Sequence, residues 1–367
     1  MKILDNGIRY LIGAFFIFSG LIKVNDPVGT SIKLKEYFQV FNEDFGSFFE
    51  IFIPYSLELA VFVVVLEVVL GFTTILAYRM NINAWILLLL IIFFTFLTFY
   101  SAVFDKVTDC GCFGDAIPLT PYTSFIKDLV LLAFIIYIFF RRKQYKPLLN
   151  HPISDYVVIG FSLAILFLAI NAIRHLPYID FRPYKVGASI PENMEPSADY
   201  QYQYIMKKDG ENYKFEVFPA DTTYEFVEMK LLNPEAQPKI TDYSVWNEEG
   251  DFTVETFQGL KLLVIIENIV KADREALLEI NKLAQQLEGQ VKAMILTSND
   301  ERTFETYRHE YQLAINYYYS DHTVLEAMIR SNPGIMLLKD GVVLGKWHYN
   351  DVPSAEKLLE LAKDKNQ

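Results

Sequence analysis

Cys110 and Cys112 are the only two cysteines in 367 residues, and they stand one residue apart in Thr108-Asp109-Cys110-Gly111-Cys112-Phe113-Gly114-Asp115. Two thiols can neither complete a four-ligand zinc site nor build a disulfide framework, so whatever they do they do as a pair. A disulfide needs Cα atoms about 4.4–6.8 Å apart, which residues i and i+2 reach only in a sharp bend. Gly111 and Gly114 supply the backbone freedom for one. A ring this small is strained, and strained disulfides are the exchange-competent ones. It also closes too short a loop to remove much unfolded-state entropy. The alternatives are an exchanging redox pair and a passive loop staple or two spare thiols; the redox reading explains the pair better. Asp115, in the same turn, reads either as an acid or base for the pair or as a solvated turn residue.

The elements that must position this turn are apolar. The chain is 52% hydrophobic and 21% charged, with a mean hydropathy of +0.20, which argues against an ordinary cytosolic enzyme. Its 30 Phe and 23 Tyr exclude disorder. Charge divides the chain: residues 1–185 hold 15 basic and 14 acidic side chains, and residues 186–367 hold 18 and 31. The acidic second half excludes a nucleic-acid partner, because phosphate binding requires concentrated Lys and Arg. In the first half, apolar stretches run over Tyr10–Ile22, Ile51–Tyr78, Asn81–Phe104, Thr123–Phe140 and Tyr156–Ile173. A hydrocarbon core of roughly 30 Å takes about 20 helical residues, so five spans are predicted. The first stretch lacks a small-x-small cleavage site and reads as a retained helix. Arg141, Arg142, Lys143 and Lys146 crowd the short loop between the fourth and fifth spans, which predicts a cytoplasmic amino terminus. The alternate segments, roughly 24–53 and 105–122, then lie outside with the carboxyl-terminal domain. Four spans, with the fifth stretch a core helix of the soluble domain, is the competing topology.

Arg9-x-x-x-Gly13-x-x-Phe16-x-x-x-Gly20-x-x-Lys23, a following helix with acidic residues, and then Cys110-Gly111-Cys112-Phe113-Gly114 resemble the DoxX/MauE family of four-helix membrane proteins over roughly residues 5–145. The cysteine turn points to the MauE branch. The resemblance implies support of disulfide formation in periplasmic partners, or quinone-linked membrane redox. Lys23 and Glu58 match polar positions of that bundle, at the outer ends of the first two helices, and are expected to meet there. Glu67 lies nine residues, about 13 Å, deeper than Glu58 and on the opposite helix face. A carboxylate there costs on the order of 2.5–3.5 kcal/mol unless paired or protonated. It reads either as a proton acceptor and partner for a quinone head group or as a neutral acid bonding two helices together. Glu67, Glu58 and Lys23 are thus the cofactor-site candidates, a quinone is the cofactor, and no metal is expected.

Past a proline-rich exit, the second half alternates strand and helix signals: a hairpin in Tyr200–Phe218, a second from Lys239 to Phe252, a buried strand ending at Ile266, a helix over Asp273–Leu287, the strand Lys292–Thr297, two short helices, a hairpin across Lys339-Asp340-Gly341, and a closing helix. Over roughly 238–365 this is similar to the TlpA-like thioredoxin group, on Asp242, Gly250, Gly259-x-Lys261 and Asn332-Pro333-Gly334-Ile-Met-Leu-Leu-x-x-Gly341. The resemblance makes Pro333 a cis proline facing the site. Where such domains carry Cys-x-x-Cys, this chain has Glu267-Asn-Ile-Val-Lys-Ala-Asp273, so its thiol chemistry is absent. Glu267, Asn268, Asn332 and Pro333 are expected to cluster as a binding face for an extended segment.

The expectation is an all-α membrane bundle joined to an α/β thioredoxin-like domain. Its parts are a four-helix region (1–150), a fifth span (151–176), a linker with a β-hairpin (177–237) and a cysteine-free thioredoxin-like domain (238–367). The predicted function is thiol–disulfide exchange at Cys110 and Cys112 in a bacterial inner membrane, with the periplasmic domain binding a client protein and lipid surrounding the bundle. A non-enzymatic scaffold for envelope proteins is the alternative.

Overall fold

The computed structural model describes residues 2–107 and 113–364. The chain divides into two compact units, Met1–Phe181 and Arg182–Gln367.

Among the described residues the first unit holds six α-helices: α1 (Lys2–Asn25), α2 (Pro27–Phe45), α3 (Ser56–Leu76), α4 (Met80–Phe104), α5 (Pro121–Arg141) and α6 (Ile153–His175). All but α2 are long and apolar enough to cross a membrane, the second span taking in the 3-10 turn Ser47–Tyr55 ahead of α3. α1 and α3 pack antiparallel at close range. A Cβ on Gly13 would meet Ile75 at 2.5 Å and the Gly71 carbonyl at 2.8 Å; one on Gly20 would meet Val68 at 2.5 Å. Glycines at an interface let two helix backbones approach in this way. α6 packs on α3 through Ile165 and Ala169 against Val64 and Val68, and Phe161 stacks on Phe72. The fifth stretch therefore belongs to the bundle and not to the soluble core.

The segment 24–53, expected as an outside loop, is not a loop. Asp26 accepts from the Gly29 amide at 2.8 Å and Pro27 opens the helix, a cap and first-turn pairing that starts α2. Its inner face, Tyr37 and Phe41, joins Leu97 and Tyr100 of α4.

The second unit begins with a one-turn helix α7 (Ile190–Asn193), followed by an antiparallel sheet of order β2-β1-β3 from β1 (Tyr202–Lys208), β2 (Glu211–Phe215) and β3 (Glu225–Leu231). The hairpin turns at Asp209 and Gly210, both with positive φ. A seven-stranded sheet follows. It is built from β4 (Trp246–Asn247), β5 (Gly250–Asp251), β6 (Leu260–Ile266), β7 (Lys292–Thr297), β8 (Tyr317–Tyr319), β9 (Gly334–Lys339) and β10 (Val342–His348), with α8 (Arg274–Gln286), α9 (Glu301–Tyr311), α10 (His322–Met328) and α11 (Ala355–Asp364) between and after them. Its order is β10-β9-β6-β7-β8-β4-β5. β6 runs parallel to β7 and antiparallel to β9, which is the thioredoxin arrangement.

β6 is apolar without a break from Leu262 to Ile266 because both its faces are covered, and six of its seven residues are buried. On one face Leu262, Val264 and Ile266 meet Leu277, Ile280 and Leu283 of α8, spaced three residues apart along the helix. The expected second hairpin is shorter than predicted. Only Trp246–Asn247 and Gly250–Asp251 pair, while Lys239–Tyr243 is irregular and buries Ile240 and Tyr243 instead. The segment ahead of the first sheet is held by the large one: Gly187 donates to the Val343 carbonyl at 2.8 Å and Ile190 to that of Gly341 at 2.9 Å.

Candidate functional site

The membrane bundle encloses a cavity of about 80 Å³, lined by α1 to α5. That is several times the roughly 10–15 Å³ that admits one water. Its walls are mainly apolar and aromatic, with Phe15, Phe16 and Phe94 among them, and its charged groups are concentrated. Lys23 donates to Glu67 Oε2 at 2.7 Å and Oε1 at 2.9 Å, and to Ser19 Oγ at 3.2 Å. Both ionic partners are almost fully buried. Lys23 Nζ also stands 4.8 Å from the centre of the Phe94 ring. A second carboxylate, Asp128 of α5, is 1% exposed, accepts from Thr98 Oγ1 at 3.0 Å and pairs with the neighbouring Lys127.

Two expectations are corrected here. Lys23 meets Glu67, not Glu58, and Glu58 is exposed at the start of α3. Helix register and side-chain direction explain both. Gly20 lies against Val68, so Glu67 is level with the last turns of α1, and helical side chains lean toward the amino terminus, which carries the Lys23 amine back to that level. Glu58 lies nine residues further out, beyond the end of α1. A deep carboxylate demands a partner, and the nearest amine meets that demand.

Cys110 and Cys112 lie outside the described residues, so the expected pairing between them is not part of this geometry. Phe113, one peptide bond beyond Cys112, is buried. Its ring packs edge-on against Phe15 at 5.8 Å and tilted against Phe18 at 6.0 Å, with Lys127 Nζ 5.5 Å above it. Phe15 and Lys127 both line the cavity. Asp115 sits exposed in the single 3-10 turn Gly114–Ala116 that follows. Lys127 and Asp128, near the start of the fourth apolar stretch, are not among the candidates drawn from the sequence. Adjacent charges inside an apolar stretch are themselves the signal of an intramembrane site.

In the second unit the loops after β6 and before β9 meet. Asn332 Nδ2 donates to the Asn268 carbonyl at 2.8 Å, and the Asn268 amide donates to Asn332 Oδ1 at 3.4 Å. The Asn332–Pro333 peptide is cis. Asn268 Oδ1 also accepts from the amides of Val270 and Lys271, so the segment that replaces Cys-x-x-Cys forms a turn before α8, whose first residues are capped by Asp273. Glu267 lies beside residues the sequence did not single out: His322 Nδ1 is 3.7 Å from Glu267 Oε1, and His322 Nε2 is 3.4 Å from Glu326 Oε1. Ser298 donates to the Glu267 carbonyl and contacts His322 Nδ1 at 3.3 Å. Glu267, His322 and Glu326 place one potential ligand atom each within 4.8 Å of one another. The missed signal is His322-x-x-x-Glu326, which places both side chains on one face of α10.

The fold and these sites define a five-span membrane region joined to a thioredoxin-like domain without thiols. Residues 1–141 match the family described as methylamine utilisation protein MauE. Residues 200–232, the three-stranded sheet, match a domain of unknown function (DUF8463). The chain is similar to Protein TlpB of Flavobacterium psychrophilum, 30% identical over 165 residues, which are 43% of this chain and 41% of that one. It therefore spans about two fifths of the length of that relative. Similar solved structures are a thiol-disulfide oxidoreductase from Bacteroides fragilis NCTC 9343 (20% identity, 33% of this chain and 96% of that one, TM-score 0.27) and a thiol peroxidase from Chromobacterium violaceum (18% identity, 35% and 86%, TM-score 0.27).

Proposed function

We propose that this MauE-like protein is a membrane thiol–disulfide redox protein, with Cys110 and Cys112 as the exchanging pair and the cavity at Lys23 and Glu67 as the site of a quinone head group. One observation carries the reading: the residue that follows Cys112 packs on Phe15 and beneath Lys127, and both of these line the cavity. The thiol turn and a buried, charged, aromatic-walled site are thus joined through one ring.

The residues present suit such a group. A quinone ring needs apolar faces and hydrogen-bond donors at its oxygens. Phe15, Phe16 and Phe94 provide the faces, and Lys23 would provide a donor by exchanging one of its bonds to Glu67 or Ser19. When bound, the quinone supplies a two-electron, two-proton acceptor. Oxidising the Cys110–Cys112 dithiol to a disulfide releases two electrons and two protons. Glu67 and Asp128 are the two buried carboxylates able to hold those protons, at Glu67 Oε1 beside Lys23 and at Asp128 Oδ2 beside Thr98. In the other half-reaction a client thiolate attacks one sulfur of the disulfide, and the client's second thiol resolves the mixed disulfide. The client leaves oxidised and the pair returns as a dithiol. Asp115, in the same turn, is the residue placed to exchange a proton with the pair.

The basic loop Arg141–Lys146 supports a cytoplasmic location for that loop and an extracytoplasmic location for the thiol turn and the carboxyl-terminal unit, as in an inner membrane with a periplasmic face. There the cysteine-free domain would hold the client. The Asn268–Asn332 contact beside Pro333 supports this role, because it brings together the loops after β6 and before β9. Trapping thiols in acid-quenched cells tests the reading. Cys110 and Cys112 should be found bonded to each other, and Cys110→Ser or Cys112→Ser alone should stop client oxidation. A double serine variant that keeps its cellular function would make the protein a scaffold.

A further inference from the structure

A second space shares part of the cavity's wall. A groove of about 360 Å³ runs between α2, the Ser47–Tyr55 turn and α4, and it shares Leu34, Tyr37, Phe93 and Leu97 with the cavity wall. The two spaces differ sharply in chemistry. The cavity carries Lys23, Glu67, Lys127 and Asp128, whereas every remaining residue of the groove is phenylalanine. Phe41 anchors this surface, packing on Tyr100 at 5.0 Å and on Phe96 at 5.8 Å. Phe45 and Phe96 stay exposed along it.

Resting on the quinone reading of the cavity, we infer that the groove holds the apolar tail of the same molecule. The acceptor is therefore a membrane-resident amphiphile, a quinone with a long hydrocarbon tail, and not a water-soluble oxidant. Three observations support this. A polar-headed cavity with a wholly apolar groove at its wall matches a ligand with one polar and one apolar end. Four residues line both spaces, so the two lie side by side. The groove is made by α2, a helix that does not itself qualify as a span and whose buried face is directed at α4.

The test compares a tailed with a tailless quinone of the same head group, on the full chain purified in detergent, read as a shift in thermal unfolding midpoint and as quinone co-purifying and extractable with solvent. At equal mole fraction in the micelle, the tailed compound should act at about threefold lower concentrations or less, the gain coming from packing of the tail in the groove and not from transfer out of water. Phe96→Ala, which touches the groove and not the cavity, should weaken the tailed compound several-fold and leave the tailless one unchanged. Equal response to the two compounds overturns the groove assignment while the head-group site stands. Binding of neither overturns the quinone reading and this inference together. A preference for the tailed compound that Phe96→Ala and Phe49→Ala both leave intact places the tail elsewhere and overturns the assignment.

Discussion

Lys23 and Glu67 show how a single charge inside an apolar helix dictates its surroundings. Deleting one partner of a buried pair strands the other charge, at a cost of about 3–5 kcal/mol, while replacing both with apolar residues is often neutral. Lys23→Met should therefore lower the thermal midpoint of the solubilised protein strongly, and Lys23→Met with Glu67→Leu should recover most of the loss. In the soluble unit, the Tyr243 hydroxyl donates to Thr256 Oγ1 at 3.0 Å within the core, and burial raises its pKa above the usual 10. The raised folded value means that the unfolded chain loses this proton first. The contribution is therefore complete below pH 10 and declines as pH rises past it. In chemical unfolding of the soluble unit between about pH 9 and pH 11, Tyr243→Phe should flatten the decline, with Tyr184 nearby contributing in the same direction.

Among the elements, the α1–α3 pair sets the geometry of the cavity. A Cβ at Gly71 would come within 2.7 Å of the Gly13 carbonyl and 2.8 Å of the Ile17 amide, and backbone cannot move aside as a flexible side chain can. Gly71→Ala should force the helices apart, cost about 1–3 kcal/mol in detergent unfolding, and loosen the Lys23–Glu67 pair that depends on the same register. Gly7, which has open space around its Cβ direction, is the control and should tolerate alanine. At the start of α8, Asp273 accepts from the Ala276 amide at 2.9 Å, so Asp273→Ala should cost about 1 kcal/mol of soluble-unit stability in urea.

At the scale of the molecule, the division at Phe181 and Arg182 separates two bodies with their own cores. The soluble unit contains the full seven-stranded sheet and the pairing of residues 187–190 along β10. Expressed alone as residues 182–367, it should be soluble and unfold in one cooperative transition. A shorter chain that begins at residue 238 would lose the strap on β10 and should be less stable. Protease added to spheroplasts should remove the soluble unit if the carboxyl terminus is extracytoplasmic; survival until the membrane is permeabilised would reverse the orientation.

Local patterns carry much of this protein in its sequence. Continuous apolar runs announce five helices, because a bilayer imposes a minimum length on any span. Alternating strand and helix periods, with turn residues at Asp209-Gly210 and Asp340-Gly341, announce the order of the soluble unit. The segment 24–53 reads as loop because its helix is aromatic on one side and polar on the other, without the length of a span; only its packing on α4 shows what it does. β8 escapes a sequence reading because three tyrosines carry no period of their own and become a strand only by pairing with β7. Lys23, Glu67 and Asp128 are visible as charges in apolar runs, but which of them meet depends on helix register and on the backward lean of side chains. Such distances are set by glycine contacts scattered along the chain, and only the tertiary structure brings them together.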